Sequence, residues 1–458
     1  MSSIKKKKVY SSEFVEKRRR RVFVGMSGGV DSSVAALLLK HATPNNFEKL
    51  FGRPTPKGFR GYDVTGIFMK CFNLDGCAER DTEDARRVAE HLKIPFYVFD
   101  FEKEYKKRVV EYMINGYKMG ITPNPDVMCN REIKFGMFLE RALALGADYI
   151  ATGHYVRLRN TKNTRKYEKE TKPISYIRKK FVFRSLWQAK DKNKDQSYFL
   201  WTLTQDQLKH SLFPIGDYTK PEVREIARKA KLPTAEKKDS QGICFLGKVK
   251  LPDFLKEYIE PKKGDVLDTE GNKIGEHEGA QFYTIGQRHI NVNFQFPNNK
   301  LQINSKNKNS KIGSKLSTMG GSAFGGKIKN SKNSDREPYY VVSKDVKKNI
   351  VVVAEGAENP ELFRKEIEII NVHFINPQHS DILQNVGMSV MARVRYRQPL
   401  APAILRKLNK DTYSLEFKNP QKFIAPGQSV VFYTKQSSAP SSMEDSVGKE
   451  MFGGGVII

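Results

Sequence analysis

The first half of the chain alternates two hydrophobic patterns, one typical of short buried strands and one typical of amphipathic helices. The pattern predicts strands at residues 22–24, 64–69, 96–100 and 148–152. It predicts helices from about residue 31 and over residues 81–92, 102–118 and 133–145. Strands that alternate with helices form parallel sheets, and the ligands of such sheets bind at the carboxyl ends of the strands. We therefore predict an α/β fold whose first domain is a doubly wound parallel sheet.

The second half of the chain loses the helical period and follows the pattern of short strands separated by turns. Strands are predicted at residues 339–343, 350–354, 367–375, 388–396, 413–417 and 429–433. Strands at this spacing are typical of a small antiparallel barrel or sandwich. We predict a C-terminal antiparallel β-barrel, and we expect it to hold RNA.

These changes of pattern and composition divide the chain into five predicted regions. They are a basic disordered tail (1–20), the parallel-sheet domain (21–247), a small central β-rich domain (248–290), a low-complexity insert (291–337) and the C-terminal barrel (338–458). Three further stretches interrupt the pattern as insertions, at 42–61, 160–180 and 436–450. Their basic or polar composition is compatible with contact to RNA, but a solvated surface loop is the interpretation that we favour for each.

The net charge of the chain indicates which kind of partner it binds. The 458 residues include 80 Lys and Arg against 51 Asp and Glu, which gives a formal net charge of +29 and a pI near 9.7. Scattered lysines can serve solubility alone, yet an excess of this size favours a polyanionic partner, most commonly nucleic acid. No apolar run approaches the roughly 20 residues that a membrane helix requires, and no signal-peptide core follows the basic start. We expect a cytoplasmic protein that does not contact a membrane.

The stretch Gly25-Met26-Ser27-Gly28-Gly29-Val30-Asp31-Ser32-Ser33 joins the first predicted strand to the first predicted helix. A glycine turn at this junction lets the backbone approach a phosphate, and the first amides of the helix point at the anion. The loop lacks the Gly-Lys-Ser/Thr ending of a Walker A loop. A tight corner without a ligand is the alternative interpretation of its glycines. The Ser-Gly-Gly-Val-Asp-Ser core resembles the pyrophosphatase loop of enzymes that split ATP between the α- and β-phosphates.

The four cysteines are too few and too scattered for a disulfide scaffold or a paired zinc site. Taken by itself, Cys129 could be a buried small residue or a nucleophile. It is expected at the start of the helix over residues 133–145, where the helix amino terminus and nearby cations would lower the pKa of its thiol. Three residues earlier, Asp126 could act as a general acid or base. It could instead accept a hydrogen bond from the edge of a nucleobase, or simply cap the helix. Cys244 follows Ser-Gln-Gly in a loop expected to be exposed, which suits a sulfur carrier. We expect structural roles for the remaining pair, Cys71 and Cys77.

Seven segments of the chain resemble, in this order, motifs of the bacterial tRNA-specific 2-thiouridylase (MnmA) family, which belongs to the PP-loop ATP pyrophosphatases. They are Gly-Met-Ser-Gly-Gly-Val-Asp-Ser-Ser (25–33), Thr-Pro-Asn-Pro-Asp-Val-Met-Cys-Asn (122–130), Ala-Thr-Gly-His-Tyr (151–155), Lys-Asp-Gln-Ser-Tyr-Phe-Leu (194–200), Asp-Ser-Gln-Gly-Ile-Cys-Phe (239–245), Arg-Tyr-Arg-Gln (395–398) and Pro-Gly-Gln-Ser-Val-Val-Phe-Tyr (426–433). The resemblance implies that the parallel-sheet domain is a PP-loop domain of the adenine nucleotide alpha hydrolase type. In one departure, His289-Ile290-Asn291 replaces the glycine-rich continuation that the family has after Gly286-Gln287-Arg288.

The resemblance implies an ATP-dependent tRNA-uridine 2-sulfurtransferase. In such an enzyme the C2 oxygen of the wobble uridine, position 34, is adenylated with release of pyrophosphate. Sulfur then replaces this oxygen to give 2-thiouridine and AMP. By similarity, Cys244 carries the sulfur as a persulfide, Cys129 is the nucleophile that frees it, and the two end as a transient disulfide. The implied cofactors and partners are ATP, Mg²⁺, tRNA and a persulfide donor protein, either a sulfur-relay protein or a cysteine desulfurase.

The resemblance also assigns contacts residue by residue. Nucleotide contacts fall on Gly25, Met26, Ser27, Gly28, Gly29, Val30, Asp31, Ser32, Met69 and Gly153, with Asp31 acting through Mg²⁺. Contacts to tRNA or to its flipped-out target base fall on Asn124, Pro125, Asp126, His154, Lys194, Asp195, Gln196, Arg395, Tyr396 and Gln428. From the residues alone, the default interpretations are a structural histidine for His154, a polar turn for 194–196, and an exposed face of a barrel strand for 395–396.

Two other functions remain open from the sequence. The loop at 25–33 alone permits another adenylating PP-loop ATP pyrophosphatase that acts on a small molecule, although two well-placed cysteines and the basic charge favour tRNA. A non-enzymatic RNA-binding protein would keep the barrel but would not need Asp31, Cys129 and Cys244. An iron–sulfur cluster held by Asp126, Cys129 and Cys244 is a further alternative, which we do not favour.

The excess of positive charge predicts that tRNA binding weakens steeply with salt. The slope of log affinity against log salt concentration should be about −0.7 to −0.9 for each phosphate that a lysine or arginine neutralises. Titration of labelled tRNA at several salt concentrations measures this slope. A flat response would remove the argument from charge.

Overall fold

The computed structural model of the chain describes residues 18–51, 55–72, 74, 76–162, 182–239, 245–247, 249–288, 293–294, 337–379, 387–435 and 448–458. The chain divides into two compact units, one made of Met1–Pro261 with Phe363–Ile458 and one of Lys262–Leu362. No helix in the described ranges is long and apolar enough to cross a membrane. Apart from a few residues at their ends or centre, the predicted tail, the low-complexity insert and the insertions at 160–180 and 436–450 lie outside these ranges.

A five-stranded parallel sheet forms the centre of the first unit. The N-terminal part of this unit contains strands β1 (Arg20–Gly25), β2 (Tyr62–Lys70), β3 (Phe96–Asp100), β4 (Tyr149–Ala151), β5 (Val156–Lys162), β6 (Val182–Gln188) and β7 (Ser211–Leu212). The sheet has the order β3-β2-β1-β4-β7, and all its pairs are parallel. Central strand β1 buries Val22 and Val24 completely, as expected for an interior strand of a parallel sheet. The predicted strands and the α/β doubly wound fold are confirmed.

Helices connect the strands. They are α1 (Val30–Lys40), α2 (Phe47–Phe51), α3 (Cys77–His91), α4 (Glu102–Tyr105), α5 (Glu111–Lys118), α6 (Pro125–Cys129), α7 (Phe138–Ala144), α8 (Gln205–Lys209), α9 (Lys220–Lys229) and α10 (Leu251–Lys256). Wide π-helical turns continue two of these runs, Lys106–Val110 between α4 and α5 and Asn130–Met137 between α6 and α7. Single 3-10 turns cover Ser197–Phe199, Ala280–Phe282 and Pro360–Leu362.

The helical run that contains α6 begins earlier than the hydrophobic pattern predicts. Asn124 caps it, because its Oδ1 accepts a hydrogen bond from the Val127 amide at 3.2 Å, and Pro125 lies in the first turn. The cap is therefore Asn124 and not Asp126. Cys129 is the fifth residue of α6, so the predicted position at a helix start is wrong. Proline and asparagine signal turns as well as helix starts, which hides this boundary in the sequence.

The described part of the insertion at 42–61 packs against the core, so the predicted solvated loop is wrong there. It contains α2, and Phe47, Phe51 and Phe59 are all buried. The Phe59 ring meets those of Phe47 and Tyr62 edge-on, with centroid distances of 4.6 and 5.0 Å. Burying one such side chain stabilises a fold by roughly 1.5–3 kcal/mol. Three buried aromatic rings therefore fix the conformation of this insertion.

The second unit is built around a five-stranded sheet of its own. Its strands are β8 (Gly264–Leu267), β9 (Lys273–His277), β10 (Asn293–Phe294), β11 (Tyr339–Asp345) and β12 (Ile350–Glu355), in the order β10-β9-β8-β12-β11. β12 pairs in parallel with β8, so strands from both sides of the low-complexity insert share one sheet. This corrects the predicted barrel boundary at residue 338, because β11 and β12 belong to the central sheet. The local hydrophobic pattern of a strand does not show that the strand pairs with another one on the far side of an insert.

Six antiparallel strands form the C-terminal barrel, which confirms the predicted architecture. They are β13 (Phe363–Phe374), β14 (Met388–Arg393), β15 (Ala401–Lys407), β16 (Thr412–Lys422), β17 (Ser429–Tyr433) and β18 (Glu450–Ile457). β18 pairs with both β17 and β13, which closes the barrel. The side chains at its centre are fully buried, among them Ile369, Leu405, Leu415, Val430 and Phe432. The hydrophobic pattern predicts neither β15 nor β18.

A buried junction joins the barrel to the parallel-sheet domain. β18 pairs with β6 of the β5–β6 hairpin as well as with its barrel neighbours. Beside this pairing, Arg393 Nη2 lies 2.6 Å from Asp195 Oδ2, and both side chains are buried. Arg393 also donates to the Tyr433 hydroxyl at 2.6 Å, and this hydroxyl bonds to Ser197 Oγ at 2.9 Å. The junction fixes the barrel against the domain that carries the phosphate loop.

Arg393→Met should destabilise the protein strongly, because it leaves the Asp195 carboxylate buried without its cation. Loss of one partner of a buried ion pair typically costs about 3–5 kcal/mol of unfolding free energy. Chemical denaturation measures this loss. The control is Arg406→Met, which breaks an exposed pair with Glu416 on the same barrel and should cost about 0–1 kcal/mol. Equal losses in the two variants would contradict the role of the junction.

Candidate functional site

The loop between β1 and α1 has the backbone geometry of a phosphate cradle. Gly28 has φ +68°, and a Cβ atom there would lie 2.3 Å from the Asp81 carbonyl oxygen. Ser32 Oγ accepts a hydrogen bond from the Ser27 amide at 3.1 Å, which fixes the turn from inside. Gly29 is the N-cap residue of α1 and has no side-chain cap. The first amides of this 11-residue helix therefore remain available to an anion.

Two residues that the resemblance assigns to the nucleotide lie directly against this loop. Gly153 follows β4, and a Cβ atom there would be 2.7 Å from the Ser32 amide nitrogen. On the other side, a Cβ atom on Gly25 would be 2.9 Å from Met69 Cε. The carboxyl ends of β1, β2 and β4 therefore meet around the loop, as the sheet topology predicts.

Asp31 is the acidic end of a charge network that the sequence analysis missed. Its Oδ1 accepts hydrogen bonds from Lys220 Nζ at 2.7 Å and from the Tyr155 hydroxyl at 2.8 Å. The same Lys220 Nζ lies 2.8 Å from Asp239 Oδ1, and Asp239 also pairs with Lys194 and Arg224. Lys220 is the first residue of α9, whose cap is Thr219. No local signal shows that this helix start reaches the loop.

Hydrogen bonding keeps Asp239 ionised within this network. Burial acts to raise its pKa, but hydrogen bonds from Lys194 and Lys220 outweigh burial and lower the pKa to about 2. Burial and the neighbouring Asp31 carboxylate both raise the pKa of the Tyr155 hydroxyl. Tyr155 therefore stays protonated and donates its hydroxyl proton to Asp31.

A cavity of ≈ 510 Å³ opens beside the loop. Its walls include residues that the resemblance assigns to the nucleotide, namely Ser27, Gly29, Val30 and Asp31. They also include residues assigned to tRNA, namely Asp126, His154, Lys194, Gln196 and Tyr396. The other lining side chains, which sequence reasoning did not select, are Asp81, Asn130, Lys134, Tyr155, Phe199, Lys237, Lys238, Asp239 and Arg397. The two sets of predicted residues thus face one volume.

Helix α6 supplies one carboxylate, Asp126, to the wall of this cavity. Burial raises the pKa of Asp126, and the positive charge of Lys134 opposes this shift only in part. Cys129 lies one turn further along, buried and outside the cavity lining. Asn124 and Pro125 form the start of the helix. α6 therefore presents Asp126 to the cavity, while Cys129 packs behind it.

Cys244 and residues 240–243 lie outside the described residues. The chain is described up to Asp239, which the charge network holds at the cavity wall. The predicted pairing of Cys244 with Cys129, and the alternative of a cluster ligated by both, therefore stay predictions. Among the described residues, no group of three or more His, Cys, Asp and Glu side chains is placed to hold a metal ion.

His154 lies at the back of the cavity as a neutral side chain. Burial lowers its pKa well below the ordinary value, and the nearby Lys134 charge acts in the same direction. Its Nδ1 bonds to Thr152 Oγ1 at 2.8 Å, and its ring packs between Phe135 and Phe213. These contacts are those of a structural histidine that also forms part of the cavity surface.

The segment 194–196 divides its side chains between cavity and junction. Lys194 and Gln196 line the cavity, and Gln196 Oε1 accepts from the Tyr155 amide at 3.0 Å. Asp195 points the other way into the buried junction with Arg393. Contact between Asp195 and tRNA stays a prediction, and its burial favours a structural role.

Barrel residues reach the cavity from the other side. Tyr396 stacks obliquely on Phe199 with centroids 4.5 Å apart. Arg395 Nε donates to the Phe423 carbonyl at 2.9 Å, beside a second, barrel-lined cavity of ≈ 700 Å³. Gln428 Nε2 donates to the Thr122 carbonyl at 2.9 Å, so it holds the segment that leads into α6. Contacts of these three residues with tRNA stay predictions.

Comparison with known proteins places the chain in a family. Three family models match it: "tRNA methyl transferase HUP domain" at residues 20–248, "tRNA methyl transferase PRC-barrel domain" at 252–300 and "Aminomethyltransferase beta-barrel domain" at 364–457. A tRNA-specific 2-thiouridylase MnmA from Streptococcus thermophilus is 39% identical over 96% of this chain and 95% of its own length. The protein of the same name from Bacillus licheniformis is 40% identical over 95% of this chain and 94% of its own.

The chain belongs to the tRNA-specific 2-thiouridylase MnmA family. A third member, from Legionella pneumophila, is 39% identical and covers 91% of this chain and 96% of its own length. The resemblance inferred from the seven motifs is thereby confirmed. The match to the HUP domain of MnmA proteins spans the phosphate loop and all the cavity residues from Ser27 to Asp239. The β-barrel match contains Tyr396 and Arg397, which complete its wall.

Asp126→Asn should stabilise the protein at neutral pH. Because burial raises the pKa of Asp126, ionising this carboxyl costs more free energy in the folded than in the unfolded state. Below the unfolded value near 3.9 both states are protonated, so the variant gains nothing there. The gain should begin as the pH rises above the unfolded value and should level off above the folded pKa. Denaturation at pH 4 and pH 8 measures it.

The matched control is Asp206→Asn, since Asp206 is also in the first turn of a helix but is exposed. It should show no comparable gain between the two pH values. A loss of stability in Asp126→Asn at pH 8 would contradict the account, because Lys134 would then stabilise the carboxylate more than burial destabilises it.

Proposed function

We propose that this protein is a tRNA 2-thiouridine synthase, which uses ATP to replace the C2 oxygen of the wobble uridine at position 34 with sulfur. One observation carries the proposal: the phosphate loop and Asp126, His154 and Gln196 face the same cavity. Adenylation of a base requires that the α-phosphate and the base oxygen meet in one volume. The names of the family's curated members support the same reaction.

The first step is adenylation. The uridine C2 oxygen attacks the α-phosphorus of ATP, the bond to the bridging α,β-oxygen breaks, and pyrophosphate leaves. Helix amides of the loop at 25–33 bind the phosphates, and Lys220 and Lys237 add positive charge at its edge. The carboxylate of Asp31 is an oxygen ligand of the kind that Mg²⁺ prefers. When bound with ATP, this ion would neutralise charge on the leaving pyrophosphate.

The second step is sulfur transfer, in which AMP is the good leaving group that adenylation has made from the C2 oxygen. The outer sulfur of a Cys244 persulfide attacks C2, and AMP leaves with the former C2 oxygen. The Cys129 thiolate then attacks the inner sulfur of Cys244. A Cys129–Cys244 disulfide forms, and the C2–sulfur bond stays on the uridine. Two electrons from the cysteines reduce the transferred sulfur, so an external reductant must reopen the disulfide before the next turnover.

Asp126 is the residue that we assign to the uracil ring. It projects into the cavity from the first turn of α6, with Asn124 and Pro125 immediately before it. Burial raises its pKa, which suits a carboxyl group that exchanges a proton with the base. His154, which is neutral, lines the same cavity. An uncharged side chain here favours binding of a nucleobase over binding of a phosphate at this end of the cavity.

tRNA and a persulfide donor protein are the partners that this reaction needs. The formal net charge of +29 favours the tRNA backbone as a ligand. A small-molecule adenylating enzyme is less well supported, because barrel residues Tyr396 and Arg397 form part of the cavity wall. The target uridine would enter flipped out of its stack, with aromatic Tyr396 and Phe199 available beside it.

With ATP, Mg²⁺, a persulfide donor and tRNA, the protein should generate 2-thiouridine, measured by mass spectrometry of the nucleosides. Cys129→Ser and Cys244→Ser should each abolish thiolation while tRNA still binds, because each removes one sulfur of the transfer. Cys71→Ser is the control and should stay active.

Absence of thiolated nucleoside from every tRNA tested would overturn the proposed function. Loss of tRNA binding in either serine variant would instead assign that cysteine a structural role.

A further inference from the structure

A second groove, which we call the rear groove, lies at the edge of the parallel sheet opposite the cavity. It has a volume of ≈ 480 Å³. Cationic side chains dominate its walls: Arg18, Arg20, Lys57, Arg60, Arg184 and Lys209. Asp148 is the one carboxylate among its lining residues.

The topology separates the rear groove from the phosphate loop. Arg20 begins β1 and Gly25 ends it, so the two sites lie at opposite ends of one strand. At about 3.3 Å per residue, β1 spans roughly 17 Å between them. Tyr149, which begins β4, also lines the rear groove. The rear groove therefore takes no part in the chemistry of the cavity.

The cations of the rear groove are held by the fold. Lys57 and Arg60 flank Phe59, which is buried against Phe47 and Tyr62. Glycines at 58 and 61 have φ values of +72° and +97°, so the turn that carries both cations needs their conformational freedom. The buried aromatic side chains of this insertion thus constrain the backbone from which Lys57 and Arg60 extend.

Asp148, the carboxylate of the rear groove, already has hydrogen-bond partners within the protein. Asp148 accepts a two-pronged hydrogen bond from Arg18, at 2.8 Å for each oxygen. It also accepts from the Arg21 amide at 2.8 Å. The Arg20 guanidinium lies over the Tyr149 ring. The positive charge of the rear groove as a whole therefore greatly exceeds its negative charge, and a polyanion is the partner that fits it.

We infer that the rear groove binds the phosphodiester backbone of the substrate tRNA, at a distance from the uridine in the cavity. The inference rests on the proposed function for the identity of the RNA. A groove with several arginines and lysines, an aromatic ring and a single neutralised carboxylate matches a nucleic-acid backbone site. Its role is affinity for the tRNA body, with no part in the chemical steps. It also gives the insertion at 42–61 a function.

The test uses Lys57→Gln/Arg60→Gln in the full-length protein, because both side chains are exposed. The control is Arg86→Gln/Arg87→Gln, which removes the same charge from exposed positions on α3 of the same domain. Loss of two phosphate contacts should reduce the salt slope of tRNA binding by roughly 1.4–1.8. The KM for tRNA should rise and kcat should stay unchanged. The control should leave the slope and KM as in the wild type.

Each outcome decides the inference separately from the proposed function. If the wild type thiolates tRNA but Lys57→Gln/Arg60→Gln keeps the wild-type slope and KM, the rear groove does not bind tRNA. Equal effects in the control variant would also overturn it, since they would reflect net charge alone. Failure of the wild type to thiolate concerns the proposed function only. Should thermal unfolding show that the double variant is destabilised, Lys209→Gln at exposed Lys209 repeats the test.

Discussion

The buried pair of Arg393 and Asp195 is the interaction on which the site depends. The cavity takes its phosphate loop from the parallel sheet and Tyr396 with Arg397 from the barrel, so it exists only while the two parts keep their positions. Arg393 stands at the end of β14 and Asp195 one residue after Lys194, a cavity residue. Because a buried ion pair is costly when either partner shifts, the pair restricts the two walls to one arrangement.

A second constraint acts inside the cavity. Lysines contact the carboxylates around the phosphate loop: Lys220 contacts Asp31 and Asp239, and Lys237 contacts Asp81. Phosphates that enter the loop would compete with these carboxylates for the same ammonium groups. The network therefore provides positive charge for a nucleotide without a lysine in the loop itself. It also ties Asp239, the last described residue before the segment of Cys244, to the cradle.

The sequence predicts local features of this site well and distant ones poorly. Strand β1, the glycine turn at Gly28 and the helix after it are all encoded within about 20 residues, and the family motifs identify the residues around them. The Arg393–Asp195 pair and the reach of Lys220 to Asp31 depend on tertiary packing between remote segments. β11 and β12 were assigned to the wrong sheet for the same reason. The early start of α6 was hidden because Asn-Pro is equally typical of a turn.

In the proposed function, AMP passes from ATP at the loop over residues 25–33 to a base held in the same cavity. The most direct measurement follows labels on the α-phosphate and the γ-phosphate of ATP, in the presence of tRNA and Mg²⁺ but without a sulfur donor. We expect that label from the α-phosphate moves to tRNA, while label from the γ-phosphate is released as pyrophosphate. Release of the γ-label as orthophosphate, or absence of α-label from tRNA, would contradict it.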